Sequence, residues 1–225
     1  MITVIMPTLL MSDLTCFKQL INTLCNNKLI KEVIVVDNTL DGSFENKMGT
    51  FDKVVVIKNY KNIFVNPAWN IGVNWTMTKY YLILNDDIVI TDEIINESYK
   101  AMEENDKISI LTVETKENKS YEDLEVINNS KNEVKIKDLK NKRFGWFMMG
   151  RKSQWKNIPE GLNIYYGDDF IYKLGRRYNN INCMLCGMYI SHFTSTTTGS
   201  DLFIDRKKII KKEKKIYNKI KWNEY

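Results

Sequence analysis

The 225-residue chain has one histidine and four cysteines. It also lacks any uninterrupted apolar run of about 18 residues, which excludes a transmembrane helix. The opening Met1-Ile2-Thr3-Val4-Ile5-Met6-Pro7 has no basic n-region and no small-residue cleavage site. No secretory signal is expected, and the cytosol is the expected compartment. Of Cys16, Cys25, Cys183 and Cys186, only the last two have CxxC spacing, and no second such pair completes a zinc site. They lie in the apolar run from Ile181 to Ile190. On a strand, residues three apart point to opposite faces and chelate poorly, so the pair reads as buried free thiols. No internal repeat is present.

What is present is enough to build a core. Hydrophobic residues make up 44% of the chain and aromatics 12%, so disorder of the whole chain is excluded. The length fits one domain, or one domain of two joined halves. The net charge of +5 is unevenly spread: residues 206–225 hold nine Lys/Arg and two Glu, leaving −2 on the rest.

The apolar pattern predicts strands at Thr3–Met6, Glu32–Asp37, Lys53–Lys58, Tyr80–Asn85 and Ile108–Val113. Helices are predicted over Asp13–Cys25, from Pro67 to about Thr78, and over Asp92–Glu104. Continuous Val/Ile strands separated by helices read as a largely parallel sheet covered on both faces, an α/β fold. Three of these strands end in polar residues: Thr8, then Asp37-Asn38, then Asn85-Asp86-Asp87. In parallel strands these groups share one edge, where open α/β sheets bind ligands. Residues 114–143 read as a long polar loop with one short strand, Glu133–Ile136. Phe144 to Gly150 is apolar and aromatic, and Asn182 to Ser191 leads into His192.

Three clusters have chemistry to offer. Asp86 and Asp87 repel each other at the end of a buried strand, and a divalent cation bridging to a diphosphate would relieve that repulsion; a turn with solvated carboxylates is the alternative. His192 can complete a metal site or be a satisfied core residue. The hydroxyls of Thr194 to Thr198 could meet phosphate oxygens. Asp168 and Asp169 follow Tyr165-Tyr166-Gly167: Asp168 can cap a helix that stops at Gly175, or one of the two can be a general base. In the tail, Ile209, Ile210, Ile216 and Ile220 approximate one face of a helix ringed by lysines. Such a helix lies on an anionic bilayer or docks on the body.

The order TVIMPT, EVIVVDN, NPAWNIG, YLILNDDI, GWFMMGR, YYGDDF and SHF resembles a family 2 type glycosyltransferase with the GT-A fold. The similarity spans about residues 2–200. It implies a domain over 1–205, with a nucleotide-sugar half (1–113) and an acceptor and catalytic half (114–205), followed by a basic helix or tail (206–225). It implies that Thr8 and Asp37 sit by the nucleotide, and that Asn70 and Gly72 belong to the helix flanking the donor pocket. Asn85-Asp86-Asp87 stands at the DxD-type motif: Asp87 would hold Mn²⁺ or Mg²⁺, and Asp86 would lie near ribose or sugar. His192 would help hold metal and diphosphate, Asp169 would be the base, and Asp168 would be the preceding acidic residue.

The sequence departs from the family's pattern in three places. Asn85 removes one ligand from the DxD-type motif, Ile63-Phe64-Val65-Asn66 lacks the usual glycine, and no QxxRW follows Asp169. The last absence favours single-sugar transfer over processive polymerisation. The expected reaction is inverting transfer from a UDP-, GDP- or dTDP-sugar to a glycan hydroxyl, with residues 114–143 and Trp146-Phe147 shaping the acceptor site. A sugar-phosphate nucleotidyltransferase would need a glycine-rich loop where Pro7-Thr8-Leu9-Leu10-Met11 stands. A catalytically silent glycan-binding protein would not need Asp87, Asp169 and His192. Nucleic acid is not an expected partner, since only the basic tail favours it.

Overall fold

The computed structural model describes residues 1–118, 134–140, 144–177, 180–193 and 205–225. The strands are β1 (Ile2–Thr8), β2 (Ile30–Asp37), β3 (Val54–Lys58), β4 (Tyr80–Leu84), β5 (Ile88–Val89), β6 (Ile108–Asn118), β7 (Lys135–Asp138), β8 (Phe147–Arg151) and β9 (Ile181–Phe193). The helices are α1 (Leu14–Asn26), α2 (Phe44–Met48), α3 (Val65–Trp75), α4 (Asp92–Glu104), α5 (Gly167–Arg176) and α6 (Arg206–Tyr217).

Among the described residues the strands form one sheet in the order β3-β2-β1-β4-β8-β6-β9-β5, with β7 also on β9. The first four run parallel, as the Val/Ile-rich runs predict. Beyond β4 the sheet is mixed: β8 lies antiparallel between β4 and β6, and β6 pairs parallel with β9. The expected boundary at residue 113 falls inside β6, at the register shift between Val113 and Glu114.

Period-two alternation divides the core. Val4, Met6, Val33, Val35, Leu82 and Leu84 face α1, whose Phe17, Leu20, Ile21 and Leu24 recur at helical spacing. Ile5, Ile34, Val36, Tyr81 and Ile83 face the other way, onto Ala68, Trp69 and Val73 of α3 and Phe170 and Leu174 of α5. A sheet buried on both faces has few polar positions except at its strand ends. Gly72 lets α3 close on β1, since a Cβ there would lie 2.3 Å from Ile5 Cγ2. Asp13 caps α1, accepting from the Cys16 N–H at 2.9 Å.

Several boundaries differ from expectation. β1 continues through Pro7 to Thr8, because an X-Pro pair is compatible with extended backbone. α3 begins at Val65, placing Pro67 at its third residue, where a missing N–H also costs no intrahelical bond. The short strand of the polar loop is Lys135–Asp138; Glu133 lies outside the described residues, as do residues 119–132 and 141–143. Phe147, expected at the acceptor site, is fully buried in the core. Cys183 and Cys186 are buried free thiols. No helix among the described residues is long and apolar enough to cross a membrane.

Candidate active site

A cleft of about 670 Å³ opens at the carboxyl ends of β1, β2 and β4. Its walls bring together Thr8, Asn85, Asp86, Asp87, Asp168, Asp169 and His192. Residues from four separate parts of the chain therefore meet at the strand ends, where open α/β sheets bind ligands.

Strand pairing explains the approach of His192. β5 directly follows the acidic triplet and pairs antiparallel with the end of β9, setting Ile88 opposite His192. The Phe193 N–H donates to the Asp87 carbonyl at 3.0 Å. His192 Nε2 thereby comes within 3.3 Å of Asp87 Oδ1 and 3.4 Å of Asn85 Nδ2. The imidazole packs on Trp146, with ring centroids 5.5 Å apart. Its Nδ1 is buried with no hydrogen-bond partner among the described residues.

Asp86 sits differently from its neighbour. Its Oδ2 accepts the Thr8 hydroxyl at 2.5 Å and its Oδ1 the Ser12 hydroxyl at 3.0 Å. Burial, and then the Asp87 charge, push its carboxyl up to about 6, while the two hydroxyls pull the other way. Thr8 Oγ1 also accepts the Leu10 N–H at 2.9 Å, fixing the turn after β1.

The second acidic pair opens α5. Asp168 is not its N-cap: Tyr166 holds that position in the left-handed region at φ 63°, with no side-chain cap bond. The helix starts two residues earlier than a capping Asp168 allows, at Gly167, where a Cβ would sit 2.1 Å from Asn66 Oδ1. It ends at Arg176 rather than Gly175. Asp168 and Asp169 thus lie in the first turn, where the helix dipole favours negative charge. Asp168 Oδ1 accepts the Asp169 N–H at 2.9 Å.

Three other sequence-derived residues stand off the cleft wall. Asp37 is fully buried and organises the turn after β2, accepting from Thr39 N at 2.9 Å, Thr39 Oγ1 at 2.6 Å and Phe44 N at 3.0 Å. Asn70 makes a reciprocal pair with Ile158, donating at 2.9 Å and accepting at 2.8 Å. Gly72 serves the α3–β1 contact already described. The residues after His192, from 194 to 204, lie outside the described residues.

Sequence reasoning missed Ser12, Trp69 and the α6 contribution. Arg206 and Ile210 of α6 reach the cleft wall, and Glu213 accepts from the Ile164 and Tyr165 N–H groups. The available signal was a single glutamate inside a run of lysines, on the isoleucine face of the helix.

The model for glycosyl transferase family 2 matches residues 3–175. The chain belongs to that family. The match holds every candidate site residue except His192, which lies beyond it and reaches the cleft through the β5–β9 pairing. No curated protein matches this family 2 chain in sequence. Among solved structures it is similar to S. aureus TarS residues 1–349, at TM-score 0.59 and 18% identity, covering 85% of this chain and 60% of that one. The same protein in complex with UDP matches at TM-score 0.59 and 19% identity, covering 86% and 60%. Its complex with UDP-GlcNAc matches at TM-score 0.59 and 18% identity, covering 86% and 58%. The family 2 chain thus spans about three-fifths of the length of these structures, and at this identity the likeness concerns the fold.

The donor set at Asp87 and His192 suits a divalent cation only in part. A carboxylate and an imidazole converge, but no group of three or more His, Cys, Asp or Glu able to hold a metal occurs among the described residues. Both Asp86 oxygens already accept hydroxyls. Mg²⁺-like cations take one or two protein ligands and complete their shell with phosphate oxygens and water. The pair therefore fits a cation that arrives with a diphosphate.

Proposed function

We propose that this chain moves a single sugar from a nucleotide-sugar to an acceptor hydroxyl, by one inverting displacement. The observation that carries this reading is the cleft itself, which sets the Asp87–His192 pair and the Asp168–Asp169 turn in one cavity at the strand ends. A divalent cation held by Asp87 and His192 would offset the charge that develops on the departing nucleoside diphosphate.

Asp169 takes the proton of the acceptor hydroxyl as its oxygen bonds to the anomeric carbon, while the bond from that carbon to the diphosphate oxygen breaks. Asp168 holds the Asp169 backbone through its N–H. Asp86, anchored by Thr8 and Ser12, keeps the turn after β1 against the turn after β4, on the ribose or sugar side. Asp37 supports this region from beneath by fixing the β2 turn, where Asn38 lines the cleft. Trp146 offers a ring face to the acceptor sugar.

The UDP and UDP-GlcNAc complexes of TarS make UDP-linked sugars the first donors to test. A thermal-shift screen of UDP-, GDP- and dTDP-sugars, each with Mn²⁺ and with EDTA, reads the proposal directly. The correct donor at a hundred times its Kd stabilises the fold by about 2.7 kcal/mol. Stabilisation is expected with Mn²⁺ and not with EDTA. A screen in which no nucleotide-sugar shifts the transition would reject the donor reading.

A further inference from the structure

We propose that Glu213 is a positioning residue for Asp169, which makes the C-terminal helix part of the catalytic unit; this rests on Asp169 being the base. Every lysine of α6 is exposed, yet Glu213 on the same helix is only 2% exposed. A carboxylate in that setting is costly unless its oxygens are bonded. Here Oε2 accepts the Tyr165 N–H at 2.7 Å and the Ile164 N–H at 3.2 Å.

The bonded segment is the approach to α5, and it is held from the other side as well. Asn66 of α3 donates from Nδ2 to the Leu162 and Tyr165 carbonyls, each at 3.2 Å, and its N–H donates to the Asn163 carbonyl at 3.0 Å. Asn66 thus takes carbonyls of the segment while Glu213 takes amides. Between them the chain turns through left-handed Tyr166 into Gly167, Asp168 and Asp169. Tyr217, one turn after Glu213, stacks on Tyr166 at 5.3 Å and donates its hydroxyl to the Asp169 carbonyl at 3.5 Å.

Anchoring alone does not explain an acid here. Ile216, Tyr217, Ile220 and Trp222 already pack α6 and its extension on the body. An apolar residue at 213 would add to that packing without desolvating a charge. What only an acceptor can do is fix the orientation of two backbone N–H groups just before the left-handed turn. A small misplacement of a reacting group can cost about 10²-fold in rate.

The test compares Glu213→Ala and Glu213→Gln in a transfer assay, with the donor taken from the nucleotide-sugar screen. E213A is expected to lower kcat by about 10–10²-fold while donor affinity stays as in the wild type. E213Q, whose amide oxygen still accepts from both N–H groups, is expected to recover most of kcat. Wild-type kcat in E213A overturns the proposal, as does loss of donor affinity in step with kcat, or E213Q as slow as E213A. If E213A does not fold, Glu213→Asp, one methylene short of the N–H groups, takes its place with the same outcomes. Absence of any donor binding by the wild-type chain would instead reject the functional reading on which this rests.

Discussion

Asp86 accepts two hydroxyls, Thr8 at 2.5 Å and Ser12 at 3.0 Å, while Asp87 faces His192 at 3.3 Å. Adjacent carboxylates at a strand end thus have separate partners, hydroxyls for Asp86 and an imidazole for Asp87. The resemblance already gave the two carboxylates different places, but not the hydroxyls that hold Asp86, because Ser12 lies 74 residues from Asp86 and only the fold joins them. The proposed roles divide the α5 pair in a similar way. Asp169→Asn keeps shape and hydrogen bonding but removes the basic carboxylate. It is expected to lose transfer by about 10²–10⁴-fold with donor binding intact, measured by single-turnover transfer and nucleotide titration. Asp168→Asn retains an oxygen for the Asp169 N–H and is expected to keep more activity. The reverse order of the two variants would move the base to Asp168.

At the scale of elements, the parallel strands β1 to β4 and helices α1, α3 and α4 were legible within a few residues. Their signals are local: Val/Ile runs and helical spacing. The β5–β9 pairing was not legible, since β5 is only Ile88–Val89 and its partner lies a hundred residues away. That short pairing is nevertheless what brings His192 to Asp87. The α3–β1 contact carries a stability prediction. Gly72→Ala would gain about 0.5–1 kcal/mol in helix propensity. Its Cβ would meet Ile5 Cγ2 at 2.3 Å, and Ile5 is fully buried with no room to retreat. Overpacking costs about 1–3 kcal/mol, so the variant is expected to be less stable. A denaturation midpoint equal to or above wild type would contradict this contact.

Across the whole molecule, the parallel strands carry the acidic triplet, while the mixed strands and the two C-terminal helices supply His192 and the Asp168–Asp169 turn. The tail that sequence left between bilayer and body is docked: Tyr217 stacks on Tyr166 and Trp222 packs on Phe170 at 5.5 Å. Its lysines remain exposed. With Ile216, Tyr217, Ile220 and Trp222 packed on the body, any co-sedimentation with anionic vesicles is expected to vanish at high salt, where the Debye length falls to about 3 Å. Salt-resistant binding would mean that α6 undocks and inserts.

In the proposed reaction, Asp87 and His192 hold a cation together with the donor diphosphate. Calorimetric titration of the donor's nucleoside diphosphate onto wild type, Asp87→Ala and His192→Ala, each in Mn²⁺ and in EDTA, tests it most directly. Tight binding is expected only for the wild type in Mn²⁺, with a weakened isotherm for H192A and none for D87A, and all three chains folded. Equal affinity in Mn²⁺ and EDTA, or a D87A isotherm matching the wild type, would contradict it.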